Sequence, residues 1–351
     1  MSQSYLDEIG EQPAAIRKLS SLLTSDLTRM VEDVRQAIAA GEIRHIILTG
    51  MGGSLFSAYG TWLRLSQALS VPVSLWDTSE LIQQAPALLR ERTMVIAISQ
   101  SGESVELRRM TELDQGSSRR ISITNTVENS LTRWASLPLT TQVGPEQTVS
   151  TKTYTAGLVA LYIFERLLTG DGDTLRQEID HLADAVEVLI PVLTAGAPDL
   201  LDFIGHDMPI TFIGRGTSYS SAMMAALVTA EAAKAPTQAL SGGQFRHGPL
   251  ELVRAGFRSI MFMGYSATRD LNVKTARDIE GFGGRCLIIE PKYAATAQSA
   301  DIQTLVLPDV AEGLLPVLEI LPIQLLMVPM AIARGFEPAK FLNGSKITVI
   351  E

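Results

Sequence analysis

Five short apolar runs, at residues 44–49, 73–76, 93–98, 120–124 and 138–143, are separated by longer helix-compatible stretches. The alternation predicts a parallel β-sheet with helical crossovers. Pro138 opens the last run, where a strand tolerates proline as its first residue. Adding 164 to each start gives Met208, Thr237, Phe257, Gly284 and Ile302, and each falls at or beside another such run: MPITFI, TQAL, FRSIMF, GRCLII and IQTLVL. The chain is therefore read as one α/β unit present twice.

The repeat is also visible residue by residue. The segment IILTGMGGSLFSA at 46–58 returns as ITFIGRGTSYSSA at 210–222, so Gly50, Gly52, Ser54, Ser57 and Ala58 recur as Gly214, Gly216, Ser218, Ser221 and Ala222. Ahead of the first copy, residues 13–40 predict a helical lead-in, with Pro13 near its first turn and Gly41 just past its end. Between the copies, residues 155–168 and 175–193 predict helices on either side of the turn-like GDGD at 170–173. The expected organisation is a lead-in over 1–41, a first subdomain over 42–172 and a second over 173–351.

Composition narrows the class. With 46% hydrophobic and 19% charged residues in 351, the chain has material for two ordinary cores. A net charge of −9 argues against nucleic acid or an anionic membrane as partner, so an anionic ligand needs a local device. The single Cys286 lies in an apolar run and reads as an inert core residue, which excludes an internal disulfide and favours a cytoplasmic setting. The N-terminus has no basic region followed by an apolar run, so no signal peptide is expected. His45, His181, His206 and His247 show no ligand spacing, and no metal is expected. The most apolar stretch, 314–333, is interrupted by Pro316, Glu319, Pro322, Gln324 and Pro329, and reads as buried or at a subunit interface.

A strand followed by Gly50 and Gly52 invites a dinucleotide-binding reading, but the pattern fails. Leu55 stands where the third glycine belongs, the second copy has Tyr219 there, and the nearest acidic candidate is Asp77. No cofactor is expected. The glycines serve a tight strand-to-helix turn, whereas Ser54 suits either a helix cap or an anion. A stronger signal follows the third strand, where Ser99, Gln100, Ser101, Gly102, Glu103 and Ser104 precede the helix-forming VELRRMTELD. Hydroxyls, an amide and a flexible glycine before a helix N-terminus suit a phosphate, and the loop lies at the carboxyl end of a strand. A plain helix cap by Ser101 or Ser104 is the competing reading. The second copy has Met263, Gly264, Tyr265, Ser266, Ala267 and Thr268 here: it keeps the strand and loses the donors.

These residues, together with STK at 150–152, HGPL at 247–250 and the terminal KITVIE, resemble the sugar isomerase (SIS) family. Within it they are most similar to the tandem isomerase domain of glucosamine-6-phosphate synthases, over roughly 43–351. The resemblance implies two flavodoxin-like subdomains, each a five-stranded parallel sheet between helices, a homodimer and a sugar-phosphate ligand. It further implies that Ser54, Ser99, Gln100, Ser101, Gly102 and Ser104 hold the phosphate and that Ser150 contacts the sugar. Glu231 falls at the family's catalytic carboxylate, and His247 at its ring-opening histidine, which such dimers supply from the neighbouring subunit.

Departures accompany the matches. The chain begins almost directly with the isomerase part, so no glutaminase activity is expected. Gly53 replaces the threonine of the family's first GTS, Gln244 replaces the glutamate before KHGP, and the terminal motif is partly out of step around Lys346.

The chemistry of the residues agrees with this assignment. A proton moved between C1 and C2 of an open-chain sugar phosphate needs a carboxylate base, for which Glu231 on an alanine-rich helix is suited, against the alternative of a surface glutamate paired with Lys234. His247 has the ordinary pKa to open a hemiacetal near neutrality, against the alternative of a loop histidine before the turn formers Gly248 and Pro249, and Lys346 suits stabilising charge or binding a carbonyl, against the alternative of a solvated tail lysine. The expected function is aldose–ketose isomerisation or amino-sugar-phosphate deamination through an enediol or enolamine. A deglycase of fructosyl-amine 6-phosphates and a non-catalytic phosphosugar sensor are the alternatives.

Overall fold

The computed structural model describes residues 3–114, 116–265, 268–292 and 298–346. By packing, the chain forms two compact units, each drawn from separate stretches. The first takes residues 12–146, 152–183 and the segment from 343 on; the second takes the segment up to residue 11, residues 147–151 and 184–342.

The lead-in is helical but broken into α1 (Gln3–Gly10), α2 (Gln12–Lys18) and α3 (Ser25–Ala39). Thr24 supplies the start signal of α3, its hydroxyl accepting the Leu27 N–H at 3.1 Å. The first copy then runs β1 (His45–Gly50), α4 (Gly53–Ala68), β2 (Val73–Asp77), α5 (Thr78–Gln84), β3 (Thr93–Ile98), α6 (Val105–Leu113), β4 (Arg119–Thr124), α7 (Ser130–Trp134), β5 (Leu137–Thr140) and α8 (Lys152–Thr169). After α9 (Leu175–Ile204) comes the second: β6 (Ile210–Gly214), α10 (Tyr219–Ala233), β7 (Thr237–Ser241), α11 (Gly242–Arg246), β8 (Arg258–Phe262), α12 (Arg269–Gly281), β9 (Arg285–Pro291), β10 (Ile302–Leu307) and α13 (Leu315–Ala333).

Each sheet is parallel throughout and repeats the same order, β2-β1-β3-β4-β5 in the first unit and β7-β6-β8-β9-β10 in the second. The central strand β3 is buried at all six positions, as a parallel strand covered on both faces requires, whereas the edge strand β5 exposes Pro138. All ten expected strands are present within two residues of their expected starts. The repeat extends further than the strands, since α13 begins within one residue of α8 plus 164.

Helices pack the core. In the first unit α8 lies against α2, α3 and α4 and is buried continuously from Lys152 to Glu165. Arg64 of α4 clamps it, its Nε and Nη2 donating to the two carboxylate oxygens of Glu165 at 2.5 and 2.6 Å. In the second unit α13 packs on α10 and α1, so the apolar stretch at 314–333 is a core helix, 83% buried over its most apolar span. Cys286 is fully buried, and burial pushes its thiol up to about 12.

The helix expected to end at Leu193 continues to Ile204 through Pro191 and Pro198. Both prolines lie on the exposed side, where the carbonyls they leave unbonded are solvated, so the usual penalty for an interior proline is softened.

Candidate functional site

In a sheet of this order the chain reverses direction between β1 and β3, and ligands collect outside the carboxyl ends of the strands there. Ser54, in the first turn of α4, and the loop 99–104, between β3 and α6, both lie at that end, so the structure brings these residues together. The Ser54 hydroxyl has no hydrogen-bond partner among the described residues.

Inside the loop two serines are used internally. Ser99 Oγ accepts the Gly102 N–H at 3.1 Å and Ser101 Oγ accepts the Glu103 N–H at 3.1 Å. Ser104 stands at the cap position of α6 without making a cap bond, and its Oγ is buried with no hydrogen-bond partner among the described residues. A buried, unbonded hydroxyl at a helix N-terminus is a costly arrangement that an oxyanion would relieve. No lysine or arginine takes part in the loop, so its donors are neutral.

The sequence reading missed what holds the loop still. Gly102 has φ +68° and its carbonyl accepts the Leu131 N–H at 3.3 Å. A Cβ there would stand 2.1 Å from Asn129 Oδ1. Asn129 cannot yield, because it caps α7 by accepting the Thr132 N–H at 2.9 Å and donates to the Thr126 carbonyl at 2.9 Å. Glu103 turns away toward the same cap, accepting the Ser130 N–H at 2.7 Å and Oγ–H at 2.9 Å. Burial pushes the Glu103 carboxyl up, but the two Ser130 bonds and the charges of Arg133 and Arg108 outweigh it, and its pKa is lowered. The loop's own carboxylate is thus turned to Ser130, with Arg133 3.9 Å away. Hydrogen-bonding residues just after the following strand, NTVENS here, are the signal that was available.

Lys346 lies in the first unit, its Nζ 2.5 Å from Oε2 of Glu146. Glu146 is fully buried and also accepts the Thr153 N–H at 3.0 Å and the Thr153 hydroxyl at 2.5 Å, at the start of α8. Burial raises its pKa, while the Lys346 charge and the bonds from Lys346 and Thr153 lower it, and the lowering prevails. The terminal motif beyond Lys346 lies outside the described residues.

The remaining candidates belong to the second unit. Ser150 is partly buried and its hydroxyl has no hydrogen-bond partner among the described residues. Glu231 is half-buried in the last turn of α10, beside Lys234, whose Nζ donates to the Glu231 backbone carbonyl. His247 is exposed at the end of α11. Glu231 precedes β7 and His247 follows it, so they stand at opposite ends of a strand about 17 Å long. One copy of the chain therefore does not bring them together.

Asp77, the acidic residue weighed for a dinucleotide ribose, is a helix cap, accepting the Ser79 and Glu80 N–H groups at 2.9 and 3.3 Å. Gly50 and Gly214 serve close approach: a Cβ on Gly214 would lie 2.4 Å from the Ser218 carbonyl. A cavity of about 140 Å³ lined by Met30, Asp33, Arg119 and Ser136 opens at the starts of β4 and β5, the end of the sheet away from the loop. Among the described residues no cluster of three His, Cys, Asp or Glu is arranged to hold a metal.

Residues 42–164 match the family model described as the SIS domain. Over 99% of its length the chain is 29% identical to the glutamine–fructose-6-phosphate aminotransferase (isomerizing) of Pyrococcus horikoshii, of which it covers 57%, so it spans less than two thirds of such relatives. Among solved structures, the C-terminal domain of the glucosamine–fructose-6-phosphate aminotransferase of Francisella tularensis superposes with a TM-score of 0.80 at 23% identity, covering 96% of this chain and 97% of that one. The glucosamine-6-phosphate deaminase of Thermotoga maritima superposes with a TM-score of 0.78 at 20% identity, covering 99% and 100%. With two five-stranded parallel sheets of one order and a donor loop at the first switch point, this chain matches the SIS domain over residues 42–164 and resembles, over nearly all its length, the isomerase part of those aminotransferases.

Proposed function

We propose that the chain is a phosphosugar enzyme, an aldose–ketose isomerase or amino-sugar-phosphate deaminase acting on a hexose or hexosamine 6-phosphate. The observation that carries this reading is the loop 99–104: neutral donors at a switch point, fixed by Asn129 and Ser130, with Ser104 Oγ buried and unbonded at the start of α6. A phosphate dianion there accepts from the Ser54, Ser101 and Ser104 hydroxyls, the Gln100 amide and the first N–H groups of α6, Ser101 still having its own O–H to donate while its Oγ accepts the Glu103 N–H. Ser150 contacts the sugar.

In this scheme Glu231 takes the proton from C2 or C1 of the open-chain sugar and returns it to the neighbouring carbon, through an enediol or enolamine. His247 opens the ring, and because it stands at the far end of β7 from Glu231, it serves the site of a second copy in a homodimer. Lys346 stabilises the developing charge, which requires its pair with Glu146 to open. The setting is cytoplasmic. Names borne by relatives, an isomerizing aminotransferase and a deaminase, support the same class of chemistry.

The test is exchange in heavy water with fructose 6-phosphate, glucosamine 6-phosphate and a fructosyl-amino-acid phosphate, following deuterium at C1 and C2 and release of amine. Exchange abolished by Glu231→Gln supports the proposal, and amine release from the conjugate alone would assign a deglycase. Binding without exchange for every candidate, unchanged by Glu231→Gln, would leave a phosphosugar sensor. Separately, Ser101→Ala with Ser104→Ala is expected to weaken sugar-phosphate binding and spare the unphosphorylated sugar; equal losses for both would refute a phosphate role.

A further inference from the structure

The second sheet repeats the strand order of the first, so it has a switch point of its own, between β6 and β8. There the donor loop is gone, but the place is not neutral. Arg215 follows β6 directly, at the position Met51 occupies in the first copy, and Arg246, at the end of α11, stands where the first copy has Ile82. Two apolar residues have become two guanidinium groups.

Arg215 is held in place from behind. Its Nε donates to Asn272 Oδ1 at 2.9 Å, and the fully buried Asn272 is itself fixed by donating Nδ2–H to the Met263 carbonyl at the end of β8, at 3.3 Å. The guanidinium lies against the backbone of Gly242 and Gly243. A Cβ on Gly242 would come within 2.4 Å of Nε and 3.0 Å of Nη2, so glycine leaves the space the guanidinium fills. With Nε engaged, the pair Nη1 and Nη2 remains as a fork.

The charge balance is the second observation. Arg246 is neutralised by Asp278, with Nη1 to Oδ2 at 2.7 Å, and also donates to Thr275 Oγ1 at 3.2 Å. Among the described residues no carboxylate pairs with Arg215. Burial and then the Arg246 charge both work against its protonated form, lowering its pKa from the ordinary arginine value. A half-buried guanidinium beside a second one, oriented by a buried amide and lacking a counter-ion, is a costly arrangement that a bound oxyanion would relieve.

We propose that the switch point of the second sheet is a second anion site, in which the Arg215 fork binds the two oxygens of a carboxylate or phosphate group with Arg246 adding to the field. It is distinct from the loop 99–104, which uses neutral donors. The exposed His247, next to Arg246 in sequence, lies at the same end of the sheet.

The unmodified chain provides the first test. Phenylglyoxal labelling of arginines is followed by mass spectrometry at constant ionic strength, with inorganic phosphate, malonate or chloride added. Phosphate or malonate, but not chloride, is expected to slow labelling of Arg215 several-fold; protection by malonate alone assigns a carboxylate, and by phosphate alone a phosphate. Arg215 labelling unaffected by either anion would overturn the proposal. The second test counts bound phosphate in Ser101→Ala/Ser104→Ala, Arg215→Gln and Arg215→Lys. The serine double variant is expected to keep a site that Arg215→Gln removes and that Arg215→Lys weakens about tenfold, since lysine offers no fork. Equal binding by wild type and Arg215→Gln in the serine-variant background would refute the site. Loss of all phosphate binding in the serine variant with Arg215 intact would refute it as well.

Discussion

Glu319 offers a sharp quantitative test of the second unit. It lies wholly buried on α13, where Oε1 accepts the Ser218 hydroxyl at 2.7 Å and Oε2 the Ser221 hydroxyl at 2.5 Å, both from the start of α10. Burial pushes its carboxyl up to about 7, and the two serine bonds pull it back only in part. Its charge in turn adds to the causes, led by burial and the bond to Asp309, that raise the Tyr265 hydroxyl. An unfolded glutamate titrates near 4.5, so between 4.5 and about 7 the folded state holds a proton that the unfolded state has lost. The stability contributed by the protonated form is full below about 4.5 and is lost as pH rises through about 7. At about 1.4 kcal/mol per pH unit, a separation of about 2.5 units amounts to roughly 3.5 kcal/mol.

Glu319→Gln keeps the volume and removes the titration. Trp62, Trp76 and Trp134 all belong to the first unit, so their fluorescence does not follow the second. The assay is therefore amide exchange of peptides from β6, α10 and α13, measured from pH 5 to 8 and corrected for intrinsic exchange. The free energy of opening in wild type is expected to fall by about 2.5 kcal/mol relative to Glu319→Gln across that range, with tryptophan-detected unfolding showing no such difference. Parallel pH profiles for wild type and Glu319→Gln would refute the reasoning.

Two further outcomes concern the first unit. Gly102→Ala combines a positive φ with a collision against Asn129, and is expected to cost about 2 kcal/mol in urea unfolding followed by tryptophan fluorescence, and to abolish sugar-phosphate binding in calorimetry; unchanged stability would show that the loop is not clamped. Lys346→Ala removes a counter-charge from the buried Glu146 and is expected to cost about 3 kcal/mol. Because the Glu146 pKa is lowered, its stabilisation is present above about 4.5 and lost as pH falls, so the variant's acid unfolding should begin at higher pH than wild type; coincident acid limbs would refute the pairing.

The strands were legible because a parallel strand covered on both faces must be apolar at every position, and β3 and β8 leave little else to read. The loop 99–104 was legible because hydroxyls and glycine concentrate where a strand meets a helix. What escaped were partnerships made across sequence. Asn129 and Ser130 lie 27 residues or more from the residues they fix, and Glu146 lies 200 from Lys346. The apolar run AEGLLPVLEILP marks Glu319 as buried but not what holds it, since its partners Ser218 and Ser221 lie about a hundred residues earlier. The prolines of α9 misled for the opposite reason: the local rule was right about the lost hydrogen bonds, but solvent on that face reduced their cost.

The divergence of the two copies can be followed in single side chains. Ser54 and Ser218 correspond, as do Thr155 of α8 and Glu319 of α13, each pair 164 apart. In the first unit Thr155 turns its hydroxyl to the Lys152 carbonyl, 3.2 Å away, and Ser54 keeps its own hydroxyl unengaged at the switch point. In the second, Glu319 takes up the Ser218 hydroxyl, so the residue that corresponds to Ser54 is withdrawn into the core. A carboxylate behind that switch point also disfavours an anion in front of it once ionised, and Arg215, brought in at the Met51 position, supplies charge of the opposite sign. The second copy thus has an engaged serine and an arginine where the first has an unengaged serine and Met51. If the second site binds an oxyanion, raising pH through about 7 should weaken it as Glu319 ionises, and Glu319→Gln should remove that dependence while leaving the loop of the first unit untouched.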